Sequence, residues 1–352
     1  MSDVGAIEAV YAAIFGLLSL GAVIHAARSD RGYAPAIALV VTMLMAVALT
    51  RETFRLLRLV AFALFIGGPL LWFVSAWLLR NTRRWVAWSY AAVATLLVGL
   101  GADAFLVEPG RLQLSRITVT NPKVRQPICV ALVADIQFDH FGSHERRALD
   151  SVKAAAPDIV AFAGDYVQEA NQDIYDSEGR AFGDYIRKIG LQAPLGMFAV
   201  RGNVEADRWR TIFLGLPVQV AEKSSTAQSA DGSIAISLLS LDDSFNSRMT
   251  IAEDPSNRFH IVLGHAPDYA LGEVHADLLL AGHTHGGQVQ VPLWGPLITY
   301  SAVPRRWAAG VTQLPAERTL IVSRGIGMER GAAPRLRFLC PPEVIVIDLL
   351  PP

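Results

Sequence analysis

Apolar residues change their spacing part-way along this chain. Up to residue 108 they fall in four long blocks, 6–27, 34–50, 59–79 and 85–107, with few charges and no lysine. Each block approaches the roughly 20 residues that a helix needs to cross the hydrocarbon of a bilayer, the second only marginally. From residue 112 the runs shorten to strand length, with turn signals between them. LQLSRITVT at 112–120 alternates as a half-buried strand does, and ICVALVAD at 128–135 is a continuous apolar strand. Ser143 stands ahead of ERRALDSVKAAA as an N-cap, Pro157 breaks that helix, and the strand DIVAFAG completes a β-α-β unit. The pattern then predicts a helix over 177–189 closed by Gly190, the strand GMFAVRG, and a helix over 205–214. After these come mostly strands: GSIAISLLSLDD, RFHIVLGH, ADLLLAGH, QVQVP, RTLIVSRG and EVIVIDL. The chain divides into an all-α transmembrane region, residues 1–108, and an α+β region, residues 109–352. The β-α-β front half and strand-rich back half of the second region suit two packed sheets flanked by helices.

Five of these strands stop on a residue able to hold a metal. The first ends at Asp135 and Gln137, the second at Asp165, the third at Asn203, the fourth at His265, and the fifth at His283 and His285. In open α/β sheets, sites form outside the carboxyl ends of the strands. Carboxylate, amide and imidazole together suit a pair of divalent cations, which clamp phosphate and activate water. A lone aspartate after a strand is more often a turn or a cap. The order of all five, each after an apolar run, carries the argument.

These motifs resemble those of the calcineurin-like metallophosphoesterases. That family's pattern of DxH, GDxx, GNH[DE], a lone His and GHxH is matched in order. Here it reads Asp135-Ile136-Gln137, Gly164-Asp165-Tyr166-Val167, Gly202-Asn203-Val204-Glu205, Gly264-His265 and Gly282-His283-Thr284-His285. The bacterial membrane-associated branch is the closer match. GHTHGGQ at 282–288 is followed by VPLWGPLIT at 291–299, SRGIGMER at 323–330 and a closing PPEVIVIDL strand. The resemblance spans residues 112–350 and leaves the first 108 uncovered. It implies a four-layer αββα sandwich and a phosphoesterase with two divalent metal ions. Asp165 would bridge them, Asp135, Gln137 and His285 would complete one site, and Asn203, His265 and His283 the other. Glycines ahead of Asp165, Asn203, His265 and His283 let the backbone turn close to such a centre.

Two positions depart from the family pattern. Gln137 stands where histidine is usual, and its hard oxygen tilts the metal preference toward Mn²⁺, with Mg²⁺, Fe and Zn²⁺ as alternatives. Val204 stands where the family carries the histidine that stabilises the transition state or protonates the leaving group. His140 and Glu205 are the candidate catalytic substitutes. The segment 291–310 follows the last ligands and reads as a substrate-facing rim, with Trp294 for an apolar group and Arg305 and Arg306 for phosphate. His25, His144, His260 and His275 fit no motif and read as structural or surface residues.

Charge and cysteine content narrow the class. Lys and Arg total 31 against 32 Asp and Glu, a net charge of −1, with no basic patch of the kind that binds nucleic acid. Cys129 and Cys340 read as two thiols, not a disulfide scaffold. Arg28, Arg31, Arg51, Arg55, Arg58, Arg80, Arg83 and Arg84 punctuate the apolar blocks, and Trp72, Trp77, Trp85 and Trp88 suit membrane interfaces. Basic residues near the spans balance to parity, so orientation rests on the resemblance, which implies an extracytoplasmic catalytic domain on a multi-pass anchor. The partners expected are the lipid bilayer and a phosphoester small molecule or lipid, while oligomeric state stays open. The leading reading is cleavage of phosphodiester or pyrophosphate-type bonds by a metal-activated hydroxide, in lipid-linked or envelope substrates. The other is a catalytically degraded module of the same fold that binds a phosphorylated ligand or partner at the membrane.

Overall fold

The computed structural model describes residues 3–28, 34–50, 52–205 and 207–352. Arg31 and Arg51 lie outside them. The chain forms two compact units, Met1–Val107 with Glu329–Arg335, and Glu108–Met328 with Leu336–Pro352.

The first unit is helical: α1 (Asp3–Arg28), α2 (Ala34–Leu49), α3 (Thr53–Phe62), α4 (Gly68–Leu79) and α5 (Arg84–Ala102). A π-helical turn, Ala63–Gly67, joins α3 to α4 without a break. It directly precedes Pro69 at the start of α4. Proline offers no N–H and clashes with the carbonyl four residues back, and a widened turn relieves both. Small residues carry the contacts: Ala22 and Ala26 of α1 pack with Ala34 and Ala38 of α2 and Leu71 of α4. The buried hydroxyls of Thr42 and Ser75 each donate to the carbonyl four residues earlier, at 2.7 Å, and so need no partner from another helix. Leu17, Leu20, Leu44, Leu70, Trp77, Trp85, Trp88 and Leu96 face outward. Among the described residues, three segments are long and apolar enough to cross a membrane: Ile7–Ala26, Thr53–Leu79 and Arg84–Gly110. The 16-residue α2, expected as a fourth span, falls below that length.

The second unit holds sixteen strands: β1 (Gln113–Thr120), β2 (Ile128–Val133), β3 (Ile159–Phe162), β4 (Gly196–Val200), β5 (Val218–Ala221), β6 (Ser225–Gln228), β7 (Ile234–Leu238), β8 (Thr250–Ile251), β9 (Phe259–Leu263), β10 (Glu273–Val274), β11 (Leu278–Ala281), β12 (Gln290–Val291), β13 (Gly295–Pro296), β14 (Gly310–Leu314), β15 (Arg318–Val322) and β16 (Glu343–Leu350). One six-stranded sheet runs β1-β16-β2-β3-β4-β5, and the other β14-β15-β11-β9-β7-β6. Strands β2 to β5 are mutually parallel, as are β15, β11, β9 and β7.

Period-2 alternation sorts the side chains between layers. Val130, Leu132, Ile159, Ala161, Ile261, Leu263, Leu278 and Leu280 fill the space between the sheets. Their neighbours Ala131, Val133, Val160 and Phe162 face the other way, against Leu149 and Val152 of α6 (Ser143–Ala154) and Phe182 and Ile186 of α7 (Gln172–Ile189). On the far face of the second sheet, Val262, Leu279, Leu320 and Val322 pack with Tyr269 and Ala270 of a 3-10 turn, Asp268–Leu271. Helices cover the first sheet, while short turns and loops serve the second.

Local departures from the sequence reading have local causes. Gly142, not Ser143, caps α6, because Glu145 turns back to accept the Gly142 N–H at 2.8 Å. Helix α7 begins five residues early, where Asn171 Oδ1 accepts the N–H of Asp173 and Ile174 at 3.0 and 3.3 Å. Its end at Gly190, in the left-handed region, is as expected. The helix expected over 205–214 is a 3-10 turn, Trp209–Phe213, in which Trp209 and Ile212 stack three apart and both become buried. In GSIAISLLSLDD the strand stops at Leu238, and Ser240 caps the short α8 (Leu241–Ser244). Both cysteines are free, with Cys340 buried and Cys129 partly so.

One buried cation went unremarked in the sequence. Arg337 has no exposed surface, and backbone oxygens alone receive its short donations. It donates from Nε to Gly327 O (3.1 Å), from Nη1 to Cys340 O (2.9 Å), and from Nη2 to Arg324 O (2.7 Å), Gly325 O and Gly327 O. This clamps the SRGIG loop onto the turn after β2, where Gly327 N–H donates to Asp135 O at 2.7 Å. A Cβ at Gly327 would lie 2.1 Å from Ile136 O, so only glycine fits. Arg337→Met strands four buried carbonyls and should lower stability by roughly 2–4 kcal/mol. Arg337→Lys should recover little, because one ammonium cannot reach all four. Thermal melts of the full chain followed by near-ultraviolet circular dichroism check this, and a melting point unchanged in Arg337→Met refutes the clamp.

Candidate metal centre

The carboxyl ends of β2, β3 and β4 in one sheet and of β9 and β11 in the other deliver the expected residues. Adjacent turns are stitched by backbone bonds: Asp135 N–H to Gly164 O at 3.0 Å, Gln137 N–H to Asp165 O at 2.9 Å, and Gly282 N–H to His265 O at 2.9 Å. Five of the seven expected ligand positions have positive φ without being glycine: Asp135 (47°), Gln137 (42°), Asp165 (55°), His283 (68°) and His285 (49°). Such conformations disfavour a Cβ and persist only where the surroundings over-determine them. Sharp turns of this kind let short strands aim several side chains at one point. Gly202 makes room for them, since a Cβ there would lie 2.1 Å from Asp165 Oδ1.

Asp135, Asp165 and His265 are buried, and their ligand atoms lie within 4.8 Å of one another. Both Asp135 oxygens accept the His283 N–H, at 3.0 Å each. Asp165 Oδ1 accepts the Val204 N–H at 3.0 Å. Burial, and then the charge of Asp165, push the Asp135 carboxyl well above its ordinary range. Burial likewise raises Asp165 to about 6, against the pull of the Val204 N–H. Dehydration disfavours the charged form of both carboxylates, and nearby positive charge would favour it.

The imidazoles are placed as metal ligands would be. His265 Nδ1 is 2.8 Å from Ala163 O and must donate to it. Burial holds this ring neutral, with its pKa down to about 4, so Nε2 presents a lone pair. That lone pair faces Asn203 Oδ1 at 2.8 Å and Asp165 Oδ1 at 3.5 Å. His283 repeats the logic: Nε2 donates to Tyr300 O at 3.1 Å, burial lowers its pKa to about 4, and Nδ1 faces Asn203 Oδ1 at 2.8 Å. With the Asn203 oxygen inward, lone pairs converge on lone pairs, an arrangement that a cation satisfies. An amide turned over would serve both rings with its NH₂ instead, so the buried carboxylates and the unpartnered His285 ring carry the argument beside it. His285 is buried and neither ring nitrogen has a hydrogen-bond partner. Burial, then Arg337, hold it neutral. Gln137 is also buried, and its NH₂ donates to Gln168 Oε1 at 3.1 Å, which fixes the amide's rotation. Carboxylate, amide and imidazole donors with an orphaned imidazole fit divalent cations.

The remaining expected residues lie differently. Glu205 is buried and fully engaged: Oε2 accepts from Gly202 N–H at 2.6 Å and Asp165 N–H at 3.1 Å, and Oε1 accepts from Tyr166 N–H. Burial, then Asp165, raise its pKa to about 8, while those N–H groups favour its anion. Its carboxylate staples the Asp165 turn to the Asn203 turn. The His140 side chain is 81% exposed, with Nδ1 3.1 Å from Glu178 Oε1. On the rim, Arg305 lies 5.4 Å from the centroid of the exposed Trp294 ring, and Arg306 is exposed. None of these three enters the ligand cluster, though the rim reaches it through the Tyr300 carbonyl on His283.

The sequence reading missed several supports. Phe245 stands edge-on to His283 at 4.7 Å and lies 6.3 Å from His265. Asp268 Oδ1 accepts from Ser301 Oγ and, at 3.0 Å, from the Ala302 N–H, pinning the turn that carries Tyr300 O. Nothing in the sequence marks Phe245. Arg337 did leave a signal, a lone charge inside the apolar run LRFLC.

Comparison with known proteins agrees with this geometry. The family profile described as calcineurin-like phosphoesterase matches residues 130–287. The chain is 34% identical to the uncharacterized metallophosphoesterase YkuE of Bacillus subtilis, over 56% of this chain and 70% of that protein. It is 28% identical to the phosphodiesterase YaeI of Escherichia coli, over 77% of this chain and 99% of that one. It is 22% identical to the UDP-2,3-diacylglucosamine pyrophosphatase LpxG of Chlamydia trachomatis, over 69% and 91%. Strand ends that gather two buried carboxylates, an amide and neutral imidazoles thus coincide with the matched region, and the chain belongs to the calcineurin-like metallophosphoesterases, a family of metal-dependent phosphoric ester hydrolases.

Proposed function

We propose that this chain is a membrane-anchored phosphodiesterase or pyrophosphatase acting on lipid-linked substrates, with two divalent cations, Mn²⁺ preferred. The observation that carries this reading is the convergence of unprotonated imidazole lone pairs and buried carboxylates on one point. Asp165 would bridge the cations. Asp135, Gln137 and His285 would hold one, and Asn203, His265 and His283 the other. When bound, the pair supplies Lewis acidity toward the phosphate oxygens and toward the attacking water. The chain's own groups hold the geometry. The His283 N–H fixes Asp135, the Ala163 and Tyr300 carbonyls fix the tautomers of His265 and His283, and Glu205 locks two ligand turns together as a positioning residue. The apolar helices support a multi-pass anchor, and relatives named phosphodiesterase and diacylglucosamine pyrophosphatase support both the bond type and an acylated substrate. We place the catalytic unit outside the cytoplasm. In this reading the short turns over the second sheet form the fourth layer of an αββα sandwich.

Three measurements test the proposal. Purified full-length protein should hydrolyse bis-p-nitrophenyl phosphate, lose that activity on chelation, and regain more with Mn²⁺ than with Zn²⁺. Undiminished activity in chelator, or recovery with zinc alone, contradicts the metal assignment. Elemental analysis should find both cations gone from Asp165→Ala, whereas Asn203→Ala should lose mainly one. Two metals retained in a folded Asp165→Ala protein rule out the bridge.

Val204 supports the second reading, a binding module with a degraded site. Its backbone N–H still serves Asp165, but its side chain supplies no proton. Val204→His should favour a poor leaving group, such as an alkyl phosphodiester, over p-nitrophenolate. General acid help is typically worth about 10²–10⁴-fold, and a graft without Glu205 free to orient it should give about tenfold or less. Rates unchanged for both substrates, with metal content intact, would mean that another residue already supplies the proton or that the pocket serves binding; His140→Ala separates these, loss of activity naming His140 as the acid and no change shifting the assignment to binding.

A further inference from the structure

Among the described residues, the second unit exposes ten large apolar side chains, and five of them belong to the loop after the last ligands or its immediate support: Leu293, Trp294, Leu297, Tyr300 and Leu339. Leu293 and Trp294 form the tip of a hairpin in which β12 pairs antiparallel with β13. Leu293 is 110% exposed and Trp294 65%. Leu293 also sits at φ 67°, an unfavourable conformation for a bulky residue. Its backbone therefore presents an apolar side chain to solvent at a conformational cost, the opposite of what folding alone would select.

The hairpin is rooted on the candidate metal centre. Gln290 N–H donates to Phe338 O, and Phe338 N–H to Gln288 O, each at 2.9 Å. Gln290 Nε2 donates to Gly286 O at 2.6 Å, one residue beyond His285. Leu339 follows Phe338 at this root. The guanidinium of Arg305 stands 5.4 Å from the Trp294 ring, and neither Arg305 nor Arg306 pairs with a carboxylate among the described residues. From tip to base the order is aliphatic, indole, free cation.

We infer that this hairpin is a bilayer-docking element, which seats Leu293 and Trp294 among lipid headgroups and acyl chains while Arg305 and Arg306 meet anionic phosphates. Three observations favour lipid over protein as the occupant. A tip of two side chains offers far less than the roughly 800 Å² per partner of a stable protein interface. Indole and guanidinium beside aliphatic residues match the composition of membrane–water interfaces. Among the described residues, the same chain carries three segments long and apolar enough to span a bilayer. The inference deepens the proposed function, because a site rooted on a docked hairpin receives phosphoesters from the lipid surface. It rests on that reading for the substrate and for the membrane anchor.

The test uses full-length protein in nanodiscs of phosphatidylcholine and phosphatidylglycerol. Cys129→Ser removes the one partly exposed thiol. An environment-sensitive fluorophore is attached at Leu293→Cys, at Trp294→Cys or, as a control, at the exposed Glu317→Cys. The two hairpin labels should show blue-shifted emission, quenched by lipids spin-labelled near the headgroup, and the control should show neither. Solvent-like emission at both hairpin sites overturns the inference. So does a blue shift that spin-labelled lipid fails to quench, which would mean packing against protein. Neither readout needs turnover or metal, so a negative result leaves the phosphoesterase reading standing, and an inactive protein would still report the docking.

Discussion

Two carboxylates with almost no access to water, Asp135 and Asp165, lie where two sheets meet, and the second unit is organised around holding them there. Burial raises the proton affinity of both, the charge of Asp165 raises that of Asp135 further, and the buried Arg337 directs its short donations to backbone oxygens. Removing ions from water costs several kcal/mol apiece unless something compensates. The protein's own compensation is partial: the His283 and Val204 N–H groups, and the field of Arg337. Buried carboxylates so compensated are compatible with the divalent metals of the family. Their burial also explains why so much surrounding structure is strained or locked, since a looser frame would let the carboxylates drift back toward water.

Much of this was legible before any coordinates. The strand runs end where the ligands begin, because a strand's period is short and a turn at its end leaves few choices of position. Asp135, Asp165, Asn203, His265 and His283 were therefore placed together by motif order alone. The left-handed φ at five of the seven positions was invisible, because sequence marks such conformations only when glycine occupies them. Helices near the site were also misread. The Trp209–Phe213 turn tightens to bury Trp209 and Ile212 at once, and periodicity alone does not distinguish that solution from an α-helix. Arg337 illustrates the general limit. A charge in an apolar run reads as a surface residue until the backbone carbonyls that receive it are known.

Val204 and Glu205 separate two roles that the family motif combines. Read as sequence, the glutamate looks stranded once its neighbouring histidine is gone. In the fold it accepts N–H groups from Gly202, Asp165 and Tyr166, and so couples the second and third ligand turns. That duty needs no histidine and is sufficient reason for the glutamate to stay. Valine at 204 therefore leaves the placement of the ligand turns intact, which is compatible with substrates whose leaving groups need little protonation.

The two units treat apolar surface in opposite ways, and the contrast bears on how substrate arrives. The helical unit buries alanines and turns leucine and tryptophan outward, as a body in a non-aqueous solvent would. The second unit buries its large apolar residues between and around its sheets and concentrates half of its outward-facing exceptions on one loop and its support. That loop is tied by hydrogen bonds to the turn carrying His285, and its Tyr300 carbonyl fixes the His283 ring. The hairpin and two expected ligand residues thus share a short run of hydrogen bonds. An enzyme whose substrate lies in a lipid surface would gain registry between the phosphate it must reach and the ligands that await it.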